Sequence, residues 1–481
     1  MSTEASTAST GAGALPRSAP SALGVDARGV DAFLDAVEAA AGVELHSLAV
    51  LHRGAVVAEG WWAPYAPERL HLLYSVSKSF TVTALGLAVA EGLVDLDSTV
   101  LSHFPELDGD VTDERARSIT LRHVAAMASG HRGETIGDAS ADESGDVVRG
   151  FLRLPPEEEP GSTFAYNQPC TFALSAVVQR AAGTTLTRYL RPRLLDPLGI
   201  GETAWTTDGR GREIGFSGLH ATTDALAKLG QLHLQRGRWG GVRLLPEAWV
   251  EQVGRAHVDT TAGQDKPDSR LGYGYQFWPS RHGYRADGAY GQFALVLPEQ
   301  DAVVAITGQT STTQVLLDAV WEHLVPALSG PALPPGAARH DAALAARLAA
   351  LELPGPRGHG TAPLRPAVLR ALPGAAQLTG ARLERTGEDA AADGTGWRLV
   401  LEGRDGEVAA DLGPGWTGTG ALAVSWAPAG RTALRADVVF VETPHRLLLH
   451  LDPAAGSVRG AWCTEPLHAP PLHLLRAPRE P

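Results

Sequence analysis

Lysine is almost missing from this 481-residue chain: of 41 basic residues only Lys78, Lys228 and Lys266 are lysine, and the rest are arginine. Arginine keeps its proton near neutral pH, whereas burial can tune a lysine, so amine chemistry is confined to three positions. Cysteine is as scarce. Cys170 and Cys463 lie far apart and no C-x-x-C occurs, which excludes a disulfide framework and leaves two thiols expected to be free and buried. No apolar run approaches the roughly 18 residues that a membrane span needs. Positive charge is also short: 54 acidic against 41 basic residues leave a net charge of −13, which argues against a nucleic-acid or anionic-membrane partner. The 17 histidines include no His-x-x-x-His pair with a carboxylate, so neither a metal nor another cofactor is expected.

What is present is a globular profile, 44% hydrophobic and 20% charged, long enough for two or three domains. Residues 1–24, rich in Ser, Thr, Ala, Gly and Pro, lack an apolar segment behind a basic start and read as a disordered tail, not a signal peptide. The expectation is a cytoplasmic, enzyme-sized protein. Val30, Phe33, Leu34 and Val37 recur at helical spacing. Leu48–His52 and Ala55–Glu59 read as strands joined by an Arg53-Gly54 turn. Ser75–Glu91 is apolar or small nearly all round, which marks a buried helix, and Gly92 stands where its C-terminal cap belongs. Acidic, Gly/Ser-containing residues 131–150 predict a surface loop. Further helices are expected over Thr171–Ala182, Thr222–Leu234 and Gln314–Leu328, with late strands at Gln292–Leu297 and Ala302–Thr307.

Beyond residue 328 the composition changes. Ser329–Gly336 is a Pro/Gly linker signal, followed by a short helix over Asp341–Leu351. From about Gln377 short period-two strands separated by turn residues predict an antiparallel barrel or sandwich. The layout is thus residues 25–330 as a mixed α/β (α+β) domain, 331–376 as a linker with a short helix, and 377–481 as an all-β domain. That last domain carries no catalytic signature; it could cap a site, extend a pocket or mediate dimerisation.

The sharpest motif is Ser75-Val76-Ser77-Lys78 at the start of the buried helix. A serine hydroxyl is a poor nucleophile until a base takes its proton. Positions i and i+3 share a helix face, so Lys78 can reach Ser75. Desolvation in an apolar helix lowers a lysine from about 10.4 towards neutrality and makes it a usable base. The helix start also offers a free N–H and positive potential to a developing oxyanion.

With Leu73–Phe80, three further groups of residues resemble serine hydrolases of the class C β-lactamase and penicillin-binding type, including esterases and 6-aminohexanoate-dimer hydrolases. They are Ile119–His123 with Met127–Gly130, Pro160–Gln168, and Leu195–Gly199 with Leu229–Leu232. The resemblance covers roughly residues 25–330. It implies a β-lactamase/transpeptidase-like domain, an antiparallel sheet flanked by helices. It also implies that Tyr166 relays protons with Lys78, as a phenolate or a hydrogen-bonded phenol. Gln168 takes the place of an asparagine that orients the lysine and the substrate carbonyl, on an arm one methylene longer, and Asn167 is the alternative. On the strand segment Ala286–Gln292 the resemblance gives Ala289 the second oxyanion N–H, with Gly288 allowing close substrate approach. The family's basic residue is replaced there by Ala286, and alternation turns Arg285 to the other face. That disfavours β-lactams and D-peptides and favours an ester or amide without the corresponding carboxylate.

The expected function is hydrolysis of a small-molecule ester or amide through an acyl-enzyme on Ser75. An acyltransferase or β-lactamase/D-peptidase of the same fold, and a sensor that acylates once without turnover, are alternatives; a homo-oligomer stays open. Gly418–Ala423 fits a dinucleotide glycine pattern but leads into a strand, so a hairpin is expected. Gly215-Phe216-Ser217-Gly218-Leu219 lacks the last glycine of a nucleophile elbow. His220 and His131 read as polar surface or pocket rim, and Glu157–Glu159 as a solvated turn.

Overall fold

The centre of the molecule is a six-stranded antiparallel sheet. Its strands are β1 (Val43–His52), β2 (Ala55–Trp61), β3 (Trp278–Ser280), β4 (Gly283–Gly288), β5 (Gln292–Leu297) and β6 (Ala302–Thr310), in the spatial order β2-β1-β6-β5-β4-β3. The computed structural model describes residues 13–330, 332–387 and 390–479. Arg53 and Gly54 both have positive φ (51° and 78°), the backbone that a two-residue hairpin turn requires, and they join β1 to β2. β6 is buried along its whole length because both sheet faces are covered. On one face Leu48, Val304 and Ile306 meet α1 (Ala27–Ala39) and the helical run from Thr313 to Leu328. On the other, Ala49, Val303 and Ala305 join the core under α2 (Ser77–Ala90), α3 (Gln168–Ala182) and α4 (Thr223–Leu234).

Every residue of α2 from Ser77 to Ala88 is buried, as expected of a helix without a polar face. Ser75 itself sits one turn earlier, in a 3-10 turn over Tyr74–Val76. Residues 131–150, expected as a surface loop, instead form short helices at Ile136–Ser140 and Val147–Arg153. Val148, Gly150 and Phe151 bury one side of the second, an apolar face that the surrounding Gly and acid residues mask in the sequence. The run from Gln314 to Leu328 is interrupted by a π turn at Val320–Leu324. Of the expected disordered tail, residues 1–12 lie outside the described residues. Residues 13–24 pack on β2: Arg17 bridges to Val56 and pairs with Glu59, and Leu15 is buried.

Within residues 331–376 lie the helix α5 (Ala337–Ala349) and the strand β7 (Ala367–Ala371). A Cβ on Gly60 would meet Leu351 Cδ1 at 2.7 Å, so the end of this segment presses directly on β2. β7 belongs to the C-terminal sheet, pairing parallel with β14 (Ser457–Trp462) and antiparallel with β8 (Leu378–Arg385). The sheet continues through β9 (Trp397–Gly403) and β10 (Gly406–Asp411) on one side. On the other it runs through β13 (Arg446–Asp452), β12 (Ala433–Phe440) and β11 (Leu422–Gly430). It is one curled sheet around its own core. Thr417–Thr419 hairpins onto β11 at Gly420, as the turn reading of Gly418–Ala423 predicts.

The two sheets are tied together near residue 70. Leu72 N–H donates to Glu442 O at 2.8 Å and the Tyr65 hydroxyl to Thr443 O at 3.0 Å. Arg446 of β13 pairs with Glu44 of β1 (2.6 Å) and with Asp437. Both thiols are free; Cys170 is buried, whereas Cys463 is exposed, because it follows the outer end of β14. Among the described residues no helix is long and apolar enough to cross a membrane.

Candidate active site

Ser75 is preceded by Tyr74 at φ +47°, a left-handed backbone that costs a non-glycine residue of order 1 kcal/mol and persists only where neighbours hold it. Three bonds do so. Leu73 N–H donates to Leu219 O (2.9 Å), Ser77 Oγ donates to Tyr74 O (2.6 Å), and the Tyr74 hydroxyl lies 2.6 Å from Nε2 of His445. The other ring nitrogen of His445 is 3.0 Å from Thr464 O, which can only accept. Nδ1 therefore carries the hydrogen, and Nε2 accepts from Tyr74. Burial holds His445 neutral by pushing its pKa down to about 4.

One turn on, Lys78 Nζ lies 3.0 Å from Ser75 Oγ and donates to Phe216 O at 2.8 Å. Lys78 is 1% exposed, and among the described residues no carboxylate bonds it. Burial pushes its pKa down to about 7, with Glu134, Cys170 and Asp287 pulling weakly the other way. The other two lysines differ. Lys228 on α4 is also buried but pairs with Asp224 at 2.7 Å and donates to Gly199 O, while exposed Lys266 donates to Thr313 Oγ1.

Tyr166 presents its ring 4.8 Å from Lys78 Nζ, and stacks on Trp278 (5.8 Å, 25°) with Tyr273 edge-on. Burial raises its phenol well above the ordinary value and Ser75, its hydrogen-bonding neighbour, offsets only part of this, which favours the protonated phenol. Gly288, the last residue of β4, passes so close that a Cβ there would meet Leu73 O at 2.3 Å. Ala289 follows in a turn with Tyr290 (φ +67°) and Gly291 (φ +91°), and its N–H makes no hydrogen bond among the described residues. Ala286 is fully buried. Arg285 lies on the face away from Gly288, closed off by Asp287 (2.8 Å), two backbone carbonyls and Ser280.

The fold thus brings Ser75, Lys78, Tyr166 and the Gly288-Ala289 turn together. It does not bring either amide to Lys78. Asn167 Oδ1 accepts from the N–H and hydroxyl of Thr135, and Gln168 is engaged through its N–H by Glu134 (3.1 Å), which caps α3. The place of the expected amide is taken by the Phe216 carbonyl. Asn167 Nδ2 and Gln168 Oε1 are buried without partners among the described residues. His131 is no surface group: it lies buried between Ser129 and Leu154 O. His220 is buried as well, at 4% exposure.

Phe216, His445, Glu134 and Trp278 are the parts that motif reading misses. Phe216 acts through its main chain, where side-chain identity gives no signal, although the glycines around it (Gly215 φ +70°, Gly218 φ +79°) mark a shaped loop. His445 arrives from a different sheet, 371 residues away.

A family model described as Beta-lactamase matches residues 30–328. A 6-aminohexanoate-dimer hydrolase from Paenarthrobacter ureafaciens is 27% identical over 277 residues, 53% of this chain and 70% of that one. A lovastatin esterase from Penicillium rubens is 28% identical over 150 residues, 27% of this chain and 37% of the esterase. Among solved structures, a Bacillus anthracis protein assigned as a 6-aminohexanoate-dimer hydrolase superposes with a TM-score of 0.53 at 20% identity, over 66% of this chain and 87% of its own.

Proposed function

The chain belongs to the Beta-lactamase family and is a serine hydrolase of that fold, and from this premise we propose that it cleaves a small ester or amide through an acyl group carried on Ser75. The observation that carries the reading is a buried amine, 3.0 Å from a hydroxyl, with only neutral partners. Neutral Lys78 takes the Ser75 proton as Oγ attacks the carbonyl carbon. The oxyanion rests on the N–H groups of Ser75 and Ala289. As the intermediate collapses, the proton passes from Lys78 to the leaving alcohol or amine through the Tyr166 hydroxyl, which gives up one proton and regains another. Water then attacks the acyl carbon, losing a proton to Lys78, and Ser75 leaves reprotonated.

A fluorophosphonate probe tests the assignment. One equivalent of label on Ser75, absent from Ser75→Ala, is expected. Undiminished labelling of that variant would move the nucleophile elsewhere, and a single acylation without turnover would make the protein a sensor.

A further inference from the structure

A second feature of the site comes from outside the region that the family model matches. The segment after β14, from Glu465 to Ala477, is pinned at three points. The Tyr290 hydroxyl donates to Glu465 O, Gln377 Nε2 to Ala469 O and Pro470 O, and Ala477 N–H to Glu442. Between this strap and the Ser75 region lies a cavity of about 760 Å³. Its inner wall includes Tyr74 and Phe216, the two residues that hold Ser75 and Lys78 in place.

Two properties of this cavity point to a ligand. First, Leu467 and Leu474 line it while remaining 54% and 57% exposed, an arrangement that leaves apolar surface in water unless something covers it. Second, His220 lines the cavity with Nε2 buried and unpartnered among the described residues. Its Nδ1 faces Gly218 O at 3.2 Å and so bears the hydrogen, which leaves Nε2 as a bare acceptor. Such an acceptor calls for an O–H or N–H from a ligand.

We propose that this cavity receives an apolar alkyl or aryl group of the substrate, and that His220 accepts a hydrogen bond from a hydroxyl or amide N–H borne on that group. The strap supplied by the C-terminal domain is then a specificity wall of the serine hydrolase site. This assignment rests on the Ser75 reading for its catalytic consequence but not for binding, and the tests separate the two.

Binding is read by calorimetry on Ser75→Ala protein with octan-1-ol and with its methyl ether, which keeps the chain and loses the O–H donor. The alcohol is expected to bind about fivefold more tightly, the worth of one neutral hydrogen bond. His220→Phe should erase that preference, and Leu467→Trp, at an exposed position that leaves the melting temperature in place, should weaken both ligands at least about fivefold. Equal binding of alcohol and ether, or binding unaffected by Leu467→Trp, overturns the proposal whatever Ser75 does. Turnover is read as the ratio of kcat/KM for long against short esters, p-nitrophenyl octanoate and octyl acetate each against p-nitrophenyl acetate. One of the two long esters is expected to lead, and Leu467→Trp to reduce its ratio about tenfold. A ratio below one for both, or one that Leu467→Trp leaves unchanged, excludes the cavity from the reaction. Turnover surviving in Ser75→Ala would instead overturn the nucleophile and leave the binding result standing.

Discussion

Lys78 and Lys228 are both amines buried against helices of one core, yet they are set up for opposite ends. Lys228 lies one helical turn from Asp224 and bonds it at 2.7 Å, with Gly199 O as a second acceptor. Its charge is matched, and it fastens the loop after residue 195 to α4. Lys78 has a hydroxyl and a carbonyl as partners and no carboxylate, so the same burial acts to strip its proton. What separates the paired lysine from the proposed base is the sign of its neighbours, not its depth.

The comparison can be broken most severely at Lys78. Lys78→Ala should lower kcat/KM by about 10³ or more while thermal melting stays cooperative, since a lost general base accounts for that range. His445→Phe comes next. It removes the acceptor of the Tyr74 hydroxyl, which the phenyl ring cannot replace, and should cut kcat about tenfold or more through misplacement of Ser75. Esterase kinetics together with fluorophosphonate labelling rates would register it.

The pH profile follows from the sign at Lys78. In the proposed mechanism the base is the neutral amine, populated above its pKa, so kcat/KM should rise with pH through about 7 and level off above it. Glu134 favours the charged ammonium, so Glu134→Gln should move that limb to lower pH by a fraction of a unit. Lys228→Met should behave in the reverse way, with the pH profile of turnover intact and stability lowered by about 1–3 kcal/mol in urea melts, because Gly199 O loses its donor. Lys266→Ala, at the exposed extreme, should change neither by more than about 0.5 kcal/mol or its kinetic equivalent.

The sequence made the Ser75–Lys78 contact legible because it is local: three residues on one turn, flanked by apolar positions that name the buried helix. The central strands and α1, α3 and α4 were legible for the same reason, since period and caps are written within about ten residues. Residues 131–150 were not. Two helices of five and seven residues hold too few turns for a periodic signal, and buried Gly150 packs so closely on Ala139 that its small size is itself the contact. Nor could motif reading find Phe216 O or His445, which are joined to Lys78 and Tyr74 only by the path of the chain. Tyr166 was legible as a residue but its protonation state was not, because that depends on Trp278 and Tyr273 closing over it.

The bond between Tyr74 and His445 spans 371 residues, and this sets a clock. At about 5–20 residues per second a ribosome needs roughly 20 to 75 seconds to travel from one to the other. Throughout that interval Ser75 and Lys78 exist on a nascent chain whose strained Tyr74 turn lacks the His445 bond, one of the three that hold it. The proposed hydrolytic centre is therefore completed only after the C-terminal sheet has emerged.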